Sequence, residues 1–269
     1  MTASAYLRCL SGIIYRELLR FVHQRGRFIA ALVRPLVWLV VFAAGFRMAL
    51  GIAITPPYKT YILYEVYIVP GLVGMVQLFN GMQSSLSMVY DREMGSMRVL
   101  LTSPLPRWFL LVSRLLASTL VSIVQVYAFL LIAWFYGVRV PTLGYLFVLP
   151  ALVLSGLMLG ALGILLSSLI RQLENFAGVM NFVIFPMFFL SSALYPLWRI
   201  REASPLLADL AQWNPFTYAV EMIRFALYQQ LNLEAVLITL VTMLVLMLLA
   251  ILGYNPARGM MARKAQAPD

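Results

Sequence analysis

Apolar runs alternate with short polar breaks along the whole chain, and the runs are of one length class. They fall at about residues 28–50, 61–90, 110–135, 143–169, 176–197 and 233–254. Each supplies the roughly 20 helical residues that cross a hydrocarbon core about 30 Å thick, so six membrane-spanning helices are expected. The second run is longer than a crossing needs and contains Pro70 and Gly71, where a kink is expected. The fourth carries Gly156, Gly160, Gly163 and Ser167. Their spacing puts the four on one face that lets another helix approach closely, most simply within the bundle.

The polar stretches are patterned as well. Over residues 5–27, Leu7, Leu10, Ile14, Leu18 and Phe21 share one narrow arc at 100° per residue, and Arg16, Arg20, His23 and Arg27 lie opposite. That pattern predicts an amphipathic N-terminal helix lying on the membrane surface. Residues 91–107, DREMGSMRVLLTSPLPR, form a charged, proline-containing break outside the bilayer. Residues 198–232 are the other long break. There Asn214 followed by Pro215 reads as a helix cap and a first-turn proline. In the helix that follows, Tyr218, Glu221 and Arg224 share a face, which favours a Glu221–Arg224 pair.

Composition turns these runs into a class. Of 269 residues, 62% are hydrophobic and 11% charged, with a mean hydropathy of +0.89, far from the soluble average of about 25% charged. An all-α integral membrane protein is expected, with 1–269 forming one membrane domain. The net charge of +10 does not suggest nucleic acid, because 18 of the 20 basic residues are arginines and most stand at the ends of apolar runs. Six crossings place both termini on one side. The arginines of the N-terminal arm, of 92–114 and of the tail make that side the cytoplasm. Arg34, near the start of the first run, can snorkel to the same surface. The arginines of residues 1–27 are spread through the segment, so no cleavable signal peptide is expected.

Candidate chemistry is sparse. One cysteine, Cys9, and one histidine, His23, exclude a disulfide framework and a multi-residue metal site. No phosphate-binding loop and no Ser-His-Asp set is present. Glu65, Glu174 and Glu234 all stand near the ends of runs, so the buried carboxylates of an ion-coupled pump are lacking. If the protein moves something uphill, the energy comes from elsewhere.

Two phrases carry a family resemblance. EMGSMRVLLTSPLPRWFLLVSRLLA, residues 93–117, resembles the segment that follows the second span in ABC-2 type exporter permeases. FPMFFLSSALYPLWRI, residues 185–200, and WNPFTYAVEMIR, residues 213–224, resemble that family's fifth span and re-entrant outer segment, with short helices between spans five and six. The resemblance implies a permease subunit that dimerises to form a translocation pathway. It also implies two separate nucleotide-binding subunits, which carry ATP and Mg²⁺ and do the catalysis, so that this chain is not itself an enzyme. Residues 93–102 become the coupling helix on that comparison, with Glu93, Met94, Gly95, Met97, Arg98 and Leu101 facing the ATPase; Met94, Met97 and Leu101 make an apolar stripe suited to a groove. Candidates for the pathway are Met75, Phe79, Asn80, Gln83, Phe182, Phe185 and Phe189, and candidates for an outer gate are Asn214, Tyr218, Glu221 and Arg224. Such a lining suits an amphipathic cargo such as a lipid-linked glycan, polysaccharide, lipid or drug, and a bacterial cell membrane is the expected location. The competing class is a polytopic membrane enzyme or assembly factor, whose polar site would have to come from Arg199, Arg201, Asp209, Tyr218 and Glu221.

Overall fold

A computed structural model of the chain describes residues 3–23, 25–46, 55–93, 106–170 and 172–253. The described residues form ten helices and no strand: α1 (Ala3–His23), α2 (Arg25–Phe46), α3 (Tyr64–Glu93), α4 (Arg107–Phe135), α5 (Gly144–Leu169), α6 (Leu173–Phe189), α7 (Leu197–Ala203), α8 (Pro205–Trp213), α9 (Pro215–Leu227) and α10 (Leu233–Gly253).

Three of them are both long enough and apolar enough to cross a membrane: Trp108–Phe135 within α4, α5 and α10. Ala31–Phe42 within α2 and all of α6 are shorter apolar helices. The protein is therefore a multi-pass membrane protein. Beyond Glu234 in the first turn of α10, the exposed side chains, among them Leu237, Val241, Leu244, Leu248 and Leu252, are aliphatic. A face of that kind suits lipid and not water.

α3 is the axis of the bundle. Every side chain from Tyr67 to Met82 is buried, with α2, α4, α5, α6 and α9 all packed against it. That burial explains why α3 tolerates Gln77, Asn80 and a run of serines, which lower its hydropathy. A polar group away from lipid is inexpensive when it finds a hydrogen-bond partner. Gln77 does so: its Nε2 donates to the Leu152 carbonyl at 2.7 Å, and the Ser155 hydroxyl donates to its Oε1 at 2.5 Å. α3 thus meets α5 through one polar rung among apolar contacts.

Glycine sets the spacing of that meeting. A Cβ at Gly81 would stand 3.1 Å from the backbone of Gly160, and one at Gly163 would stand 2.8 Å from the Gly81 carbonyl oxygen and 2.5 Å from the Ser85 hydroxyl. The small-residue face of the fourth run therefore packs inside the chain, against α3 and α4. A Cβ at Gly71 would run into the Ala193 carbonyl, and one at Gly144 into that of Leu227.

The helix bounds differ from the sequence expectation at two places. The amphipathic helix expected over 5–27 ends at His23, and α2 takes up the chain from Arg25. Leu10, Ile14, Leu18 and Phe21 are half-buried, while Leu7 stays exposed at 66%. Tyr6 meets Phe109 of α4 edge-on at 4.8 Å, and Phe21 meets Phe28 of α2 at 5.2 Å. The helix expected to continue to residue 197 stops at Phe189. The Ser191 hydroxyl donates back to the Phe188 carbonyl at 2.6 Å and accepts from the Ala193 amide at 3.2 Å. These bonds offer the backbone an alternative to the next helical turn.

Gly163→Ala should destabilise the protein by about 1–3 kcal/mol, since the added methyl has only backbone and a short side chain to displace. Gly178→Ala, with nothing within 4 Å, should be neutral or stabilising by about 0.5–1 kcal/mol. Thermal unfolding of the detergent-solubilised variants tests the pair. Equal melting temperatures would contradict the close α3–α5 approach.

Candidate functional site

The non-helical link from Leu190 to Pro196 is the feature that organises one end of the bundle. Ser191, Ser192, Ala193 and Leu194 are all buried, so their carbonyls need partners that helix geometry does not supply. Side chains from two other elements supply them. Tyr64 and Tyr67 of α3 donate their hydroxyls to the carbonyls of Leu194 and Ser192, each at 3.0 Å. Arg224 of α9 donates Nη2 to the same Ser192 carbonyl at 2.8 Å.

Arg224 is 1% exposed, and its surroundings account for a buried charge. Glu221, one helical turn earlier, pairs with its Nη1, and its guanidinium lies 4.1 Å from the centroid of the Tyr67 ring. The i, i+3 pair expected from the sequence is therefore formed, and the ring and the carbonyl beneath it hold the ion in one place. Asn214 does the work expected of a cap, accepting from the Phe216 amide at 3.0 Å. Its Nδ2 also donates to the carbonyls of Met187 and Leu190 at 2.7 and 2.6 Å. One side chain thus starts α9 and closes the open end of α6.

A cavity of about 350 Å³ opens beside this cluster, lined by Trp198, Gln212, Tyr218, Glu221, Arg224 and Glu234 among others. The four residues expected as an outer gate are therefore adjacent, with Asn214 and Arg224 acting as ties, and Tyr218 and Glu221 facing the cavity. Arg201 and Asp209 pair across α7 and α8 at 3.3 Å on the exposed surface, and Arg199 lies against the Trp198 ring, so neither arginine joins the cavity cluster. Tyr58, in the loop before α3, packs edge-on against Tyr228 at 4.7 Å. Burial pushes its phenol well above the usual range, and its hydroxyl finds no partner among the described residues.

The residues expected along a pathway separate into two groups. Met75 and Phe79 are 1% and 7% exposed and sit in the core around α3; Met75 presents nothing to a space outside the chain, because α3 is enclosed at that level. Phe79 carries the guanidinium of Arg34 at 3.7 Å from its centroid. Asn80 donates to the Ser118 carbonyl at 3.2 Å and, with Ser84, Ser118 and Glu17, lines a small cavity of about 30 Å³. Gln83 is half-buried. Phe182, Phe185 and Phe189 of α6, in contrast, are 78%, 44% and 42% exposed. They form an open aromatic face, with Phe189 against Trp38 of α2 at 5.8 Å.

Of the residues expected to couple to an ATPase, Glu93 ends α3, whereas Met94, Gly95, Met97, Arg98 and Leu101 lie outside the described residues. Sequence reasoning passed over Gln77, Tyr67 and the Arg34–Phe79 contact. A lone glutamine between Val76 and Leu78, and an arginine inside an apolar run, were the available signals.

Comparison with known proteins decides the family. The ABC-2 type transporter pattern matches residues 9–228. The chain belongs to the ABC-2 type transporter family. Relatives of this ABC-2 protein include a putative transport permease, ycf38, of Cyanophora paradoxa, 28% identical over 84% of this chain and 76% of the relative. The ycf38 protein of Porphyra purpurea is 26% identical over 80% and 72%. The probable multidrug ABC transporter permease YbhR of Escherichia coli strain K12 is 29% identical over 66% of this chain and 48% of its own length. The protein is thus a membrane permease of an ABC transporter, a component that works with an ATP-binding subunit.

Arg224→Met in this permease should destabilise the fold by about 3 kcal/mol, the lower end of what breaking a buried pair costs, because Glu221 retains some solvent. Tyr58→Phe removes an unpartnered hydroxyl and should be neutral or stabilising. Unfolding in detergent, followed by intrinsic fluorescence, checks both; an Arg224→Met variant as stable as the wild type would contradict the tie.

Proposed function

We propose that this chain forms one half of the translocation pathway of an ATP-driven exporter, working as a dimer with two copies of a separate nucleotide-binding subunit. The open aromatic face of α6 carries the proposal. Phe182, Phe185 and Phe189 stay 78%, 44% and 42% exposed, and a second copy closing over them would enclose an apolar passage between the two permeases. A lining of rings with few charges suits an amphipathic cargo, such as a lipid-linked glycan, a polysaccharide, a lipid or a drug, that enters sideways from the bilayer. The name of the Escherichia coli relative, a probable multidrug permease, is compatible with a cargo of that kind.

In this reading all six apolar runs cross the membrane of a bacterial cell, and both termini are cytoplasmic. ATP and Mg²⁺ bind the partner subunit, and residues 93–102 receive its motion through Met94, Met97 and Leu101, flanked by Glu93 and Arg98. α1 lies on the same surface beside that subunit. Residues 205–230, tied by Asn214 and Arg224 to the 190–196 link, form the outer gate next to Tyr218 and Glu221. Membership of a transport family favours this reading over an enzyme with a polar outer site, and the separation of Arg199 and Arg201 from the Glu221 cavity does so as well.

Co-purification from detergent tests the docking: the ATPase subunit should stay with the wild-type chain and be lost when Met94 and Met97 are both changed to Asp. Gly95→Trp and Arg98→Glu should leave expression and ATP hydrolysis intact and abolish export. Retention of the subunit in the double Asp variant, together with normal export in the other two, would remove the docking assignment. For the topology, a cysteine at position 96 should react with an impermeant maleimide only after the cell is opened; labelling of intact cells would invert it.

A further inference from the structure

α2 holds a charge where a membrane helix has little reason to keep one. Arg34 stands on the exposed side of α2, and its guanidinium lies 3.7 Å from the centroid of the Phe79 ring. Asn80, the residue after Phe79, lines a small cavity with Glu17 and Arg20 of α1, so this contact stands at the level of the amphipathic N-terminal helix. A snorkelling arginine would stretch freely toward the headgroups; this one is held in place by an aromatic face.

The ring leaves the ion's hydrogen-bonding capacity unspent. An aromatic ring at that distance lies against the face of the planar guanidinium, while its five N–H donors point outward in the plane. Among the described residues Arg34 has no carboxylate and no hydrogen-bond acceptor. The nearest acidic residue along the N-terminal sequence, Glu17, is engaged by Arg16 at 2.9 Å and by Arg20 at 3.7 Å. Asn80 and Ser84, further along α3, line the small cavity with Ser118 of α4, so polar side chains stand close to the Phe79 level of the helix. A fixed cation with free donors, open on one side and bordered by apolar surface, is complementary to an oxyanion carried on an apolar tail.

We propose that Arg34 is an anion-recognition residue that takes the phosphate or carboxylate head of an amphiphile held beside α2 and α3. The inference deepens the permease reading and rests on it for the meaning of the site. The amphiphile is either the transported cargo or a phospholipid of the bilayer, and both present the same chemistry.

The test uses the chain in complex with its ATP-binding subunit in phosphatidylcholine nanodiscs, with dodecyl phosphate as the probe and dodecyl maltoside and dodecyltrimethylammonium as controls. Dodecyl phosphate should be retained saturably. Arg34→Gln should raise its half-saturating concentration by about tenfold or more, as expected for losing a charged hydrogen bond, with dodecyl maltoside retention unchanged. Arg34→Lys, which keeps the charge, should recover much of the affinity and guards against a folding defect in the glutamine variant. Stimulation of ATP hydrolysis by dodecyl phosphate in the wild type alone assigns the site to cargo. Competition by added phosphatidylglycerol, seen in the wild type and absent in Arg34→Gln, assigns it to a resident lipid. Equal half-saturation in the wild type and Arg34→Gln, or equal retention of the anionic and cationic amphiphiles, overturns the proposal. Failure of any ATP-binding subunit to accompany the chain would count against the permease reading, while Arg34-dependent retention by the chain alone would still uphold this site.

Discussion

Backbone carbonyls without a helix around them are the constraint on which this structure turns. The link from Leu190 to Pro196 is buried in a protein built for an apolar solvent, where neither water nor lipid can satisfy its carbonyls. Tyr64, Tyr67, Asn214 and Arg224 satisfy them instead. Each of those donors then acquires a second duty. The tyrosines bind α3 to the link, Asn214 binds α6 to the start of α9, and Arg224 brings a charge that must itself be neutralised by Glu221. The cavity beside the cluster is therefore walled by groups placed by backbone needs, and its polarity follows from them.

A second constraint, steric, fixes the middle of the bundle. α3 can be enclosed on every side because Gly71 and Gly81 let backbone meet backbone, and because Gly156, Gly160 and Gly163 answer from α5. Enclosure in turn makes Gln77 and Asn80 tolerable. Their partners are carbonyls and hydroxyls of the neighbouring helices, at distances that only such close approach allows.

Much of this was legible in the sequence where the cause is local. The Asn214–Pro215 start of α9, the Glu221–Arg224 pair and the small-residue face of α5 follow from spacings of one to four residues. The helical runs were legible too, because hydropathy reports burial of either kind, in lipid or in protein. For that same reason it could not mark where α6 ends: FFLSSALY is apolar enough to continue a helix, and only the serine hydroxyls turning back on the chain say otherwise. Contacts between distant positions left no local trace. Tyr67 and Ser192 are 125 residues apart and Gln77 and Ser155 are 78, so their partnership is written in the packing and not in any window of sequence. Burial is likewise not legible locally: Met75 and Phe79 are 1% and 7% exposed within this chain, which their residue types alone do not announce.

The glycine contact between α3 and α5 also bears on how such a protein can move. Two helices separated by a layer of leucine side chains can slide, because rotamers absorb the displacement. Two helices whose backbones touch at Gly81, Gly160 and Gly163 have no such cushion. They behave as a single strut, rigid in shear. A push delivered at the Glu93 end of that strut would be carried along α3 toward Tyr64, where the hydroxyl is bonded to the link beside the far cavity. In mechanical terms the glycines turn a bundle of helices into a pushrod.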